Sequence, residues 1–469
     1  MPKSQTARLR IALLTIALCL PSAFASGQGA GNGNGNGTGN GNNNNGNAGS
    51  GILIDAEGVV RPNRNVDRTG KLNRKRSEAF AAEHLDEDLQ TLNEMRLVSL
   101  PALEEAYAAA MDAGNAPSPD VQYMAGLQRI DFVFIDPERN DVVLAGPAEG
   151  FAPDEVGRMR GLTTGRPPIR IDDLIVALRS IFSGEDFIGC SIDPEQGRLA
   201  ALQRWVAANS SPTSSSGARR RYTQMANILG LEDVSLWGVP QDSHYARVLV
   251  EADYTMKRIA LGAEPSGVRG IRSHLSMLKP NGNSMQRWWF APYYEAIHSS
   301  EDGTAYQITG QRVQLLSQEE HVSAGGNRSN SAFTRMSTQQ FAKRFTDHFP
   351  ELAEKNPVFA QLQNLFDLAV VAAILKDNGV LEWIDWPADV FLNRASLESY
   401  PVARHVPSAA TTRPARGGVM LGLIGGVTMR PSRIVKHQQV QGSEEAQVAA
   451  EHRVRVFASP TGVDSFWRD

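Results

Sequence analysis

Two carboxylates that lie two residues apart offer acid/base chemistry. Glu251 and Asp253 fall in "ARVLVEADYTM", where apolar and polar residues alternate. A period of two predicts a β-strand, which would place both carboxylates on one face, about 6.5 to 7 Å apart. That spacing suits acid/base catalysis on a glycosidic bond. Arg247 on the same face and nearby Lys257 favour the alternative, an ion-paired sheet surface.

Aromatic residues are concentrated in "QRWWFAPYYEAI", residues 286 to 297, although they make up only 7% of the chain. On a strand, Trp288, Phe290 and Tyr294 would share one face, and Trp289 and Tyr293 the other. This pattern favours a strand that is covered on both sides. A bulge at the proline would instead turn some rings outward, as a stacking surface for sugars. The two tryptophans and two tyrosines are therefore candidate binding residues, with core packing as the alternative.

Two serine arrangements resemble nucleophilic motifs only in part. Ser276 and Lys279 have the spacing that penicillin-recognising enzymes use, but the partner motifs of those enzymes are absent. Asp242, Ser243 and His244 supply the residue types of a catalytic triad. Neighbours in an extended chain point in opposite directions, which favours a capping or turn role for Ser243.

Metal and cofactor sites are not indicated. His298 is followed by acidic residues, and His321 is preceded by two glutamates. A hairpin that turns after His298 would separate these groups by tens of ångströms, and neither has enough ligands for a closed zinc site. The glycine-rich phosphate-binding motifs are also missing. The sequence therefore predicts no metal and no cofactor.

Strand hairpins and helices must position these residues. Helical patterns occupy residues 171–182, 338–348 and 357–377. A strand pair is predicted to turn at 298–303, with a bulge at Gly310, and another at Gly425-Gly426 within 417–429. Strands pair locally and helices come in blocks. The fold class is therefore α+β: antiparallel hairpins with helices packed against them, in two subdomains.

Composition shifts divide the chain into six parts. In order, they are a signal peptide (1–25), a Gly/Asn-rich disordered spacer (26–51), an N-terminal α+β subdomain (52–208), a Ser-rich linker (209–219), a C-terminal α+β subdomain (220–435) and a polar tail (436–469).

The N-terminus predicts export. Positive charges precede the apolar run "IALLTIALCL", and small residues at Ala23 and Ala25 form a cleavage site after Ala25. The protein is therefore expected to be secreted or periplasmic. "LAVVAAIL", residues 368 to 375, is predicted to be the middle of a buried helix, so no transmembrane segment is expected in the mature chain.

Net charge and cysteine content bear on nucleic-acid binding and on disulfide bonds. Cleavage would remove three positive charges and no acids, which changes the formal net charge from −4 to −7. This balance gives no support for binding to nucleic acid. Only Cys190 remains after cleavage, so no intramolecular disulfide is possible. Stability must come from an apolar core, for which 41% hydrophobic residues suffice.

Four longer stretches resemble a known family. They are "GVPQDSHYARVLVEADYTMKRIALGAEP", "RWWFAPYYEAI", "FPELAEKNPVFAQLQNLFDLAVVAAIL" and "GGVTMRPSRIV". In this order they are similar to an uncharacterised family of secreted planctomycete proteins, a domain of unknown function, over about Ile52 to Val435. The resemblance implies export and a shared fold, and it implies no activity.

The molecular function is therefore unknown from sequence. We expect a secreted binding or structural protein of the cell envelope, whose partner is a polysaccharide or an envelope protein. The alternative is a hydrolase that acts on an envelope or extracellular polysaccharide through Glu251 and Asp253.

Overall fold

The computed structural model describes residues 52–55, 57–62, 70–211, 214–277, 285–408, 423–458 and 465–469. The predicted signal peptide, its cleavage site after Ala25 and the Gly/Asn-rich spacer lie outside the described residues, as does Lys279.

The described strands, in chain order, are β1 (Ile52–Ile54), β2 (Val60–Pro62), β3 (Asn93–Ser99), β4 (Phe132–Asp136), β5 (Asp141–Ala148), β6 (Phe151–Pro153), β7 (Met159–Gly161), β8 (Ile188–Pro194), β9 (Leu231–Trp237), β10 (Met285–Tyr293), β11 (Ile297–Ser299), β12 (Ala305–Ile308), β13 (Arg312–Val322), β14 (Arg328–Asn330), β15 (His405–Pro407), β16 (Leu423–Met429), β17 (Gln439–Gln441) and β18 (Trp467–Arg468).

The described α-helices are α1 (Lys71–His84), α2 (Glu87–Gln90), α3 (Leu100–Asp112), α4 (Pro119–Gln122), α5 (Ile171–Phe182), α6 (Gln196–Ala208), α7 (Ser215–Leu229), α8 (His244–Leu261), α9 (His274–Met277), α10 (Met336–Asp347), α11 (Phe349–Lys355), α12 (Pro357–Asp377), α13 (Val380–Trp383), α14 (Pro431–Gln438) and α15 (Glu444–Ala458). A 3₁₀ turn (Met124–Gly126) and a π-helical turn (Val390–Arg394) complete the helical elements.

Two seven-stranded sheets form the frame of the molecule. The first sheet has the order β14-β13-β10-β16-β8-β9-β15, and the second has the order β17-β11-β12-β4-β5-β3-β18. Most neighbouring strands are antiparallel, while β10–β16 and β11–β17 are parallel pairs. The predicted α+β class is confirmed.

A long hairpin joins the two sheets. In the first sheet β10 pairs with β13, and in the second the continuation of the same two chain segments forms the β11–β12 pair. The predicted turn after His298 is confirmed. Gly310 lies where the returning segment leaves one sheet and enters the other, with φ of +95°. The predicted irregularity there is a switch between sheets.

Helix α12 is the central element of the core. It begins at Pro357 and ends at Asp377, as its sequence pattern predicts, and it contacts α5, α8 and α14. Among the described residues it is the one helix whose length and composition would allow a membrane crossing, and that apolar window is entirely buried inside the protein.

The prediction of a strand around Glu251 and Asp253 is wrong, because this stretch forms the 18-residue helix α8. Ser243 caps its N-terminus and Gly262 closes its C-terminus in the left-handed region. Nearly every side of α8 is buried, with Tyr254 and Arg258 as the partly exposed residues. From Arg247 to Tyr254 apolar residues alternate with mostly charged ones, and this local alternation imitates a strand.

The predicted hairpin turn at Gly425-Gly426 is also wrong, because both glycines lie inside the single strand β16. Side chains there would collide with the neighbouring strands. A Cβ atom at Gly425 would lie 2.1 Å from the carbonyl oxygen of Trp288, and one at Gly426 would lie 1.9 Å from that of Cys190. Residues 417–422 lie outside the described residues.

Both sheets draw strands from either side of the predicted linker at 209–219. The first sheet combines β8 with β9, and the second combines β4 with β12. Two strands of the second sheet, β17 and β18, come from the predicted polar tail, and α15 packs on that sheet. The two predicted subdomains therefore do not correspond to the two sheets, and their independence as folding units stays a prediction.

Candidate functional site

The two candidate carboxylates do not share a face. Glu251 accepts a hydrogen bond from Arg158 at 2.7 Å, whereas Asp253 lies 2.7 Å from Lys257 one turn further along α8. Residues two apart on a helix differ by about 200° in direction, so the predicted pair on a strand face is wrong. Both carboxylates are buried in separate ion pairs. Whether either takes part in catalysis stays a prediction.

The aromatic strand divides its rings as its alternation predicts. Trp288, Phe290 and Tyr294 point into the core, and the first two are 0% exposed. Trp288 packs edge-on against Phe341 and His274 at ring-centre distances of 5.2 and 4.9 Å. The rings therefore stabilise the core on one side of β10.

The opposite face of β10 is more open. Trp289 is partly buried under Arg287, whose guanidinium lies 5.2 Å from the centre of the indole ring. Tyr293 is 49% exposed. The Tyr293 ring is therefore accessible from solvent, whereas the Trp289 ring is partly covered.

His244 has a partner that its neighbours in sequence do not reveal. Its Nδ1 lies 2.8 Å from the Asp173 carboxylate on α5, and both side chains are buried. Ser243 accepts from the Ala246 amide and donates to the Pro240 carbonyl oxygen, so it caps α8, as predicted for this serine. The three consecutive residues 242–244 do not form a catalytic triad. His244 is paired with Asp173 instead.

The Asp173–His244 pair opens on a cavity of about 160 Å³. The cavity lies where the N-terminal ends of α5 and α8 meet the β6–β7 turn. Its described lining consists of Gln122, Tyr123, Gly157, Arg158, Met159, Pro168, Arg170, His244, Arg247, Gln361, Glu398 and Tyr400. We call this cavity the Asp173–His244 pocket.

One wall of the pocket carries two arginines that share one carboxylate. Arg158 donates to Glu251, and Arg247 lies close enough for the same carboxylate to raise its pKa. Burial outweighs that effect, so the pKa of Arg247 lies below its ordinary value, although guanidinium remains charged at neutral pH. This wall therefore places two guanidinium groups around the Glu251 carboxylate.

A second wall is built around Arg170. Its guanidinium donates to the hydroxyls of Tyr123, at 3.0 Å, and Tyr400, and it pairs with Asp172 at 3.1 Å. Tyr400 in turn donates to Glu398. Burial raises the pKa of both tyrosines, which therefore keep their protons at neutral pH.

This arrangement can hold and move a proton. Because Asp173 occupies Nδ1 of His244, Nε2 is the nitrogen that is available to a molecule in the pocket. Serine, threonine and cysteine are absent from the described lining, so the geometry favours water as the nucleophile. The N-terminal ends of the two helices add positive potential.

Sequence reasoning missed this site. Asp173 lies 71 residues before His244, in an amphipathic helix whose acidic first turn is an ordinary helix signal. The one usable clue was on α8, where Arg247 precedes Glu251 by four residues and Asp253 precedes Lys257 by four. Spacing of i,i+4 between opposite charges is typical of a helix.

The remaining candidates stay apart. Ser276 donates to the Ser273 carbonyl oxygen at 2.7 Å. His298 contacts Ser443 at 2.7 Å, while His321 is exposed. The described part of the chain contains no group of three or more His, Cys, Asp or Glu side chains that could hold a metal ion. Cys190 is a buried free thiol, and burial raises its pKa.

Comparison with known proteins gives a family match without an activity. No curated protein and no solved structure matches the chain. One segment, residues 190–274, matches a family model; it includes His244, Arg247 and Glu251, whereas Asp173 and Arg158 precede it. This segment is similar to a family described as "Protein of unknown function (DUF1598)".

Proposed function

We propose that the Asp173–His244 pocket is an acid–base site for hydrolysis of a small substrate, or a chain end, that carries one negative charge. The observation that supports it best is the buried 2.8 Å His–Asp contact at a cavity lined by three arginines. A histidine that is oriented by a carboxylate, with its second nitrogen available, is the usual arrangement for general acid–base catalysis.

Each wall has a distinct role in this proposal. The Arg158–Arg247 wall binds the anionic group of the substrate through the N–H donors of its guanidinium groups. Asp173 fixes the tautomer and orientation of His244. Arg170 donates a hydrogen bond to the oxygen on which negative charge develops, and Tyr400, which donates to Glu398, holds the Arg170 guanidinium in place.

The proton balance is simple. His244 Nε2 accepts a proton from water while the water oxygen attacks the scissile centre. The bond to the leaving group then breaks, and His244 returns the proton to that group. Glu251 and Asp253 are not paired in this route, because each is held in an ion pair on a different side of α8.

Binding of small anions tests the proposal without knowledge of the substrate. The measurement is the NMR chemical shift of the histidine ring protons while inorganic phosphate, sulfate or acetate is added. We expect a saturable shift of the His244 resonance, assigned with His244→Ala, and at least a tenfold weaker response in Arg247→Gln.

His405 provides a matched control in the same spectra. Its Nδ1 also faces a carboxylate, that of Asp233 at 3.1 Å, but the pair is exposed at the surface. Its resonance should not show a saturable shift. Equal responses of His405 and His244, or no response of His244 to any of the three anions, would contradict the proposal.

Catalysis is then measured with nitrophenyl phosphate and nitrophenyl sulfate, which are anionic, and with uncharged nitrophenyl acetate, which should be the poorer substrate. Asp173→Asn and His244→Ala should reduce hydrolysis of the accepted ester on the order of 100-fold. His405→Ala should retain it. Hydrolysis that persists in both pocket variants would place the chemistry elsewhere.

We also propose that the protein is exported, with cleavage after Ala25, as a soluble protein of the cell envelope or the medium. The N-terminal charge and hydrophobicity pattern and the resemblance to secreted planctomycete proteins support this proposal. Mass spectrometry of the mature N-terminus in fractionated cells tests it. A mature chain that keeps residues 1–25 in the cytoplasm would contradict it.

A further inference from the structure

A second groove runs along α14, apart from the Asp173–His244 pocket. It consists of two neighbouring cavities of about 680 and 720 Å³, each within the range of about 300–1,000 Å³ that is usual for ligand sites. Arg430, Arg433 and His437 line both cavities, so a row of basic side chains lies between them. We call the two cavities together the α14 groove.

The α14 groove has an aromatic edge. Tyr293, at the end of β10, is 49% exposed and lines the first cavity beside Pro292. Phe187 lines the same cavity, and the Arg430 guanidinium lies 5.2 Å from the centre of its ring. Exposed ring faces of this kind can stack against the apolar face of a sugar ring.

The α14 groove also has unused positive charge. Arg430 pairs with Asp186 at 3.0 Å. Arg433 and Lys436 are exposed, and within the described part of the chain neither forms a hydrogen bond or an ion pair. Asp186 and Asp377 line the second cavity, while acidic side chains are absent from the described lining of the first. The first cavity therefore combines the Tyr293 ring with Arg433, a cation that forms no ion pair with the described residues.

We propose that the α14 groove binds a segment of acidic polysaccharide, whose sugar rings carry carboxylate or sulfate groups. Tyr293 stacks on one ring, and Arg433 binds its acidic group through the paired N–H donors of guanidinium. The second cavity, with Lys436, receives the next acidic unit. Two cavities in a row favour a chain over a single small molecule. This inference is independent of the hydrolytic role proposed for His244.

Isothermal titration calorimetry with trigalacturonate tests the inference. Maltotriose supplies similar rings without charge, and citrate supplies three carboxylates without rings. We expect trigalacturonate to bind at least tenfold more tightly than either. Tyr293→Ala and Arg433→Gln should each weaken trigalacturonate binding by at least tenfold, while Arg433→Lys retains part of the affinity.

Arg344→Gln is the matched control, because Arg344 is an exposed arginine on α10 outside the groove. It should leave trigalacturonate binding unchanged. The inference is overturned by absence of trigalacturonate binding, by equal affinity for maltotriose or citrate, or by losses in Arg344→Gln equal to those in Arg433→Gln. The His244 response to phosphate should persist in Arg433→Gln, which separates failure of this inference from failure of the proposed function.

Discussion

Several ionisable side chains are buried in and around α8. Lys257 is 2% exposed and Asp253 is 0% exposed, and both lie against the backbone of β16 where Gly425 leaves room for them. Their Nζ–Oδ2 distance is 2.7 Å, although the angle is outside that of a hydrogen bond. Glu232 lies nearby on β9 and is 4% exposed. A buried charge stabilises a protein only while it is paired with a group of opposite charge.

Glu232 should make stability depend on pH. Burial raises its pKa from the ordinary 4.5 to about 7, and the opposing attraction of Lys257 is weaker. As pH rises, the Glu232 carboxyl therefore loses its proton in the unfolded chain before it does so in the folded protein. The contribution of Glu232 to the free energy of unfolding is fully present below pH 4.5 and is lost as pH rises to about 7. The shift corresponds to about 3 kcal/mol. Glu232→Gln should flatten the free energy of unfolding between these pH values, as measured by urea denaturation.

The exposed Glu382 on α13 provides the control for this measurement. Glu382→Gln should keep the pH dependence of the parent. If Glu232→Gln retained the same slope as Glu382→Gln, the protonated state of Glu232 in the folded protein would be disproved.

At the scale of elements, a buried arginine fixes the position of the long hairpin. Arg312 follows Gly310 at the switch between the sheets, and it binds both Asp367 on α12 and Asp131 before β4. One arginine thus ties the hairpin to the central helix and to the second sheet. Burial and the attraction of Arg312 act in opposite directions on Asp367, and the pKa of that carboxyl is raised because burial dominates.

Gly310→Ala should be strongly destabilising. A Cβ atom there would lie 2.4 Å from the Glu295 amide nitrogen, and φ of +95° is unfavourable for any other residue. We expect a loss of about 3 kcal/mol, measured by urea denaturation. Gly114 after α3 separates the two causes, since its φ is +70° but no atom lies within 4 Å of its Cβ position.

Gly114→Ala should therefore cost about 1 kcal/mol, from the backbone conformation alone. Equal losses in Gly114→Ala and Gly310→Ala would show that the close approach of the Glu295 backbone contributes nothing.

At the scale of the whole molecule, the two sheets share a long hairpin, and Arg312 links that hairpin to the central helix α12. Each sheet also contains strands from both sides of residues 209–219. Domains that fold independently make few contacts across their boundary, and this arrangement makes many.

Unfolding should therefore occur in one cooperative transition. Tryptophan fluorescence and far-UV circular dichroism should give the same midpoint in urea, and the calorimetric and van't Hoff enthalpies should agree. Two separated transitions would favour the two subdomains, 52–208 and 220–435, that the sequence predicts.

The sequence by itself determined those features that depend on local pattern. Pro357 at the start and Asn378-Gly379 at the end bound α12, and the alternation in β10 placed Trp288 inside and Tyr293 outside. These features follow from periodicity and from the backbone limits of proline and glycine, which act within a few residues.

Only the tertiary structure decided the state of α8 and the composition of the pocket. Helix α8 is buried on nearly all sides, and its contacts with the first sheet and α12 overrule the local alternation of its sequence. Asp173 and His244 meet because two helices begin at the same point in space. No short-range rule encodes that meeting, since it depends on how the whole core packs.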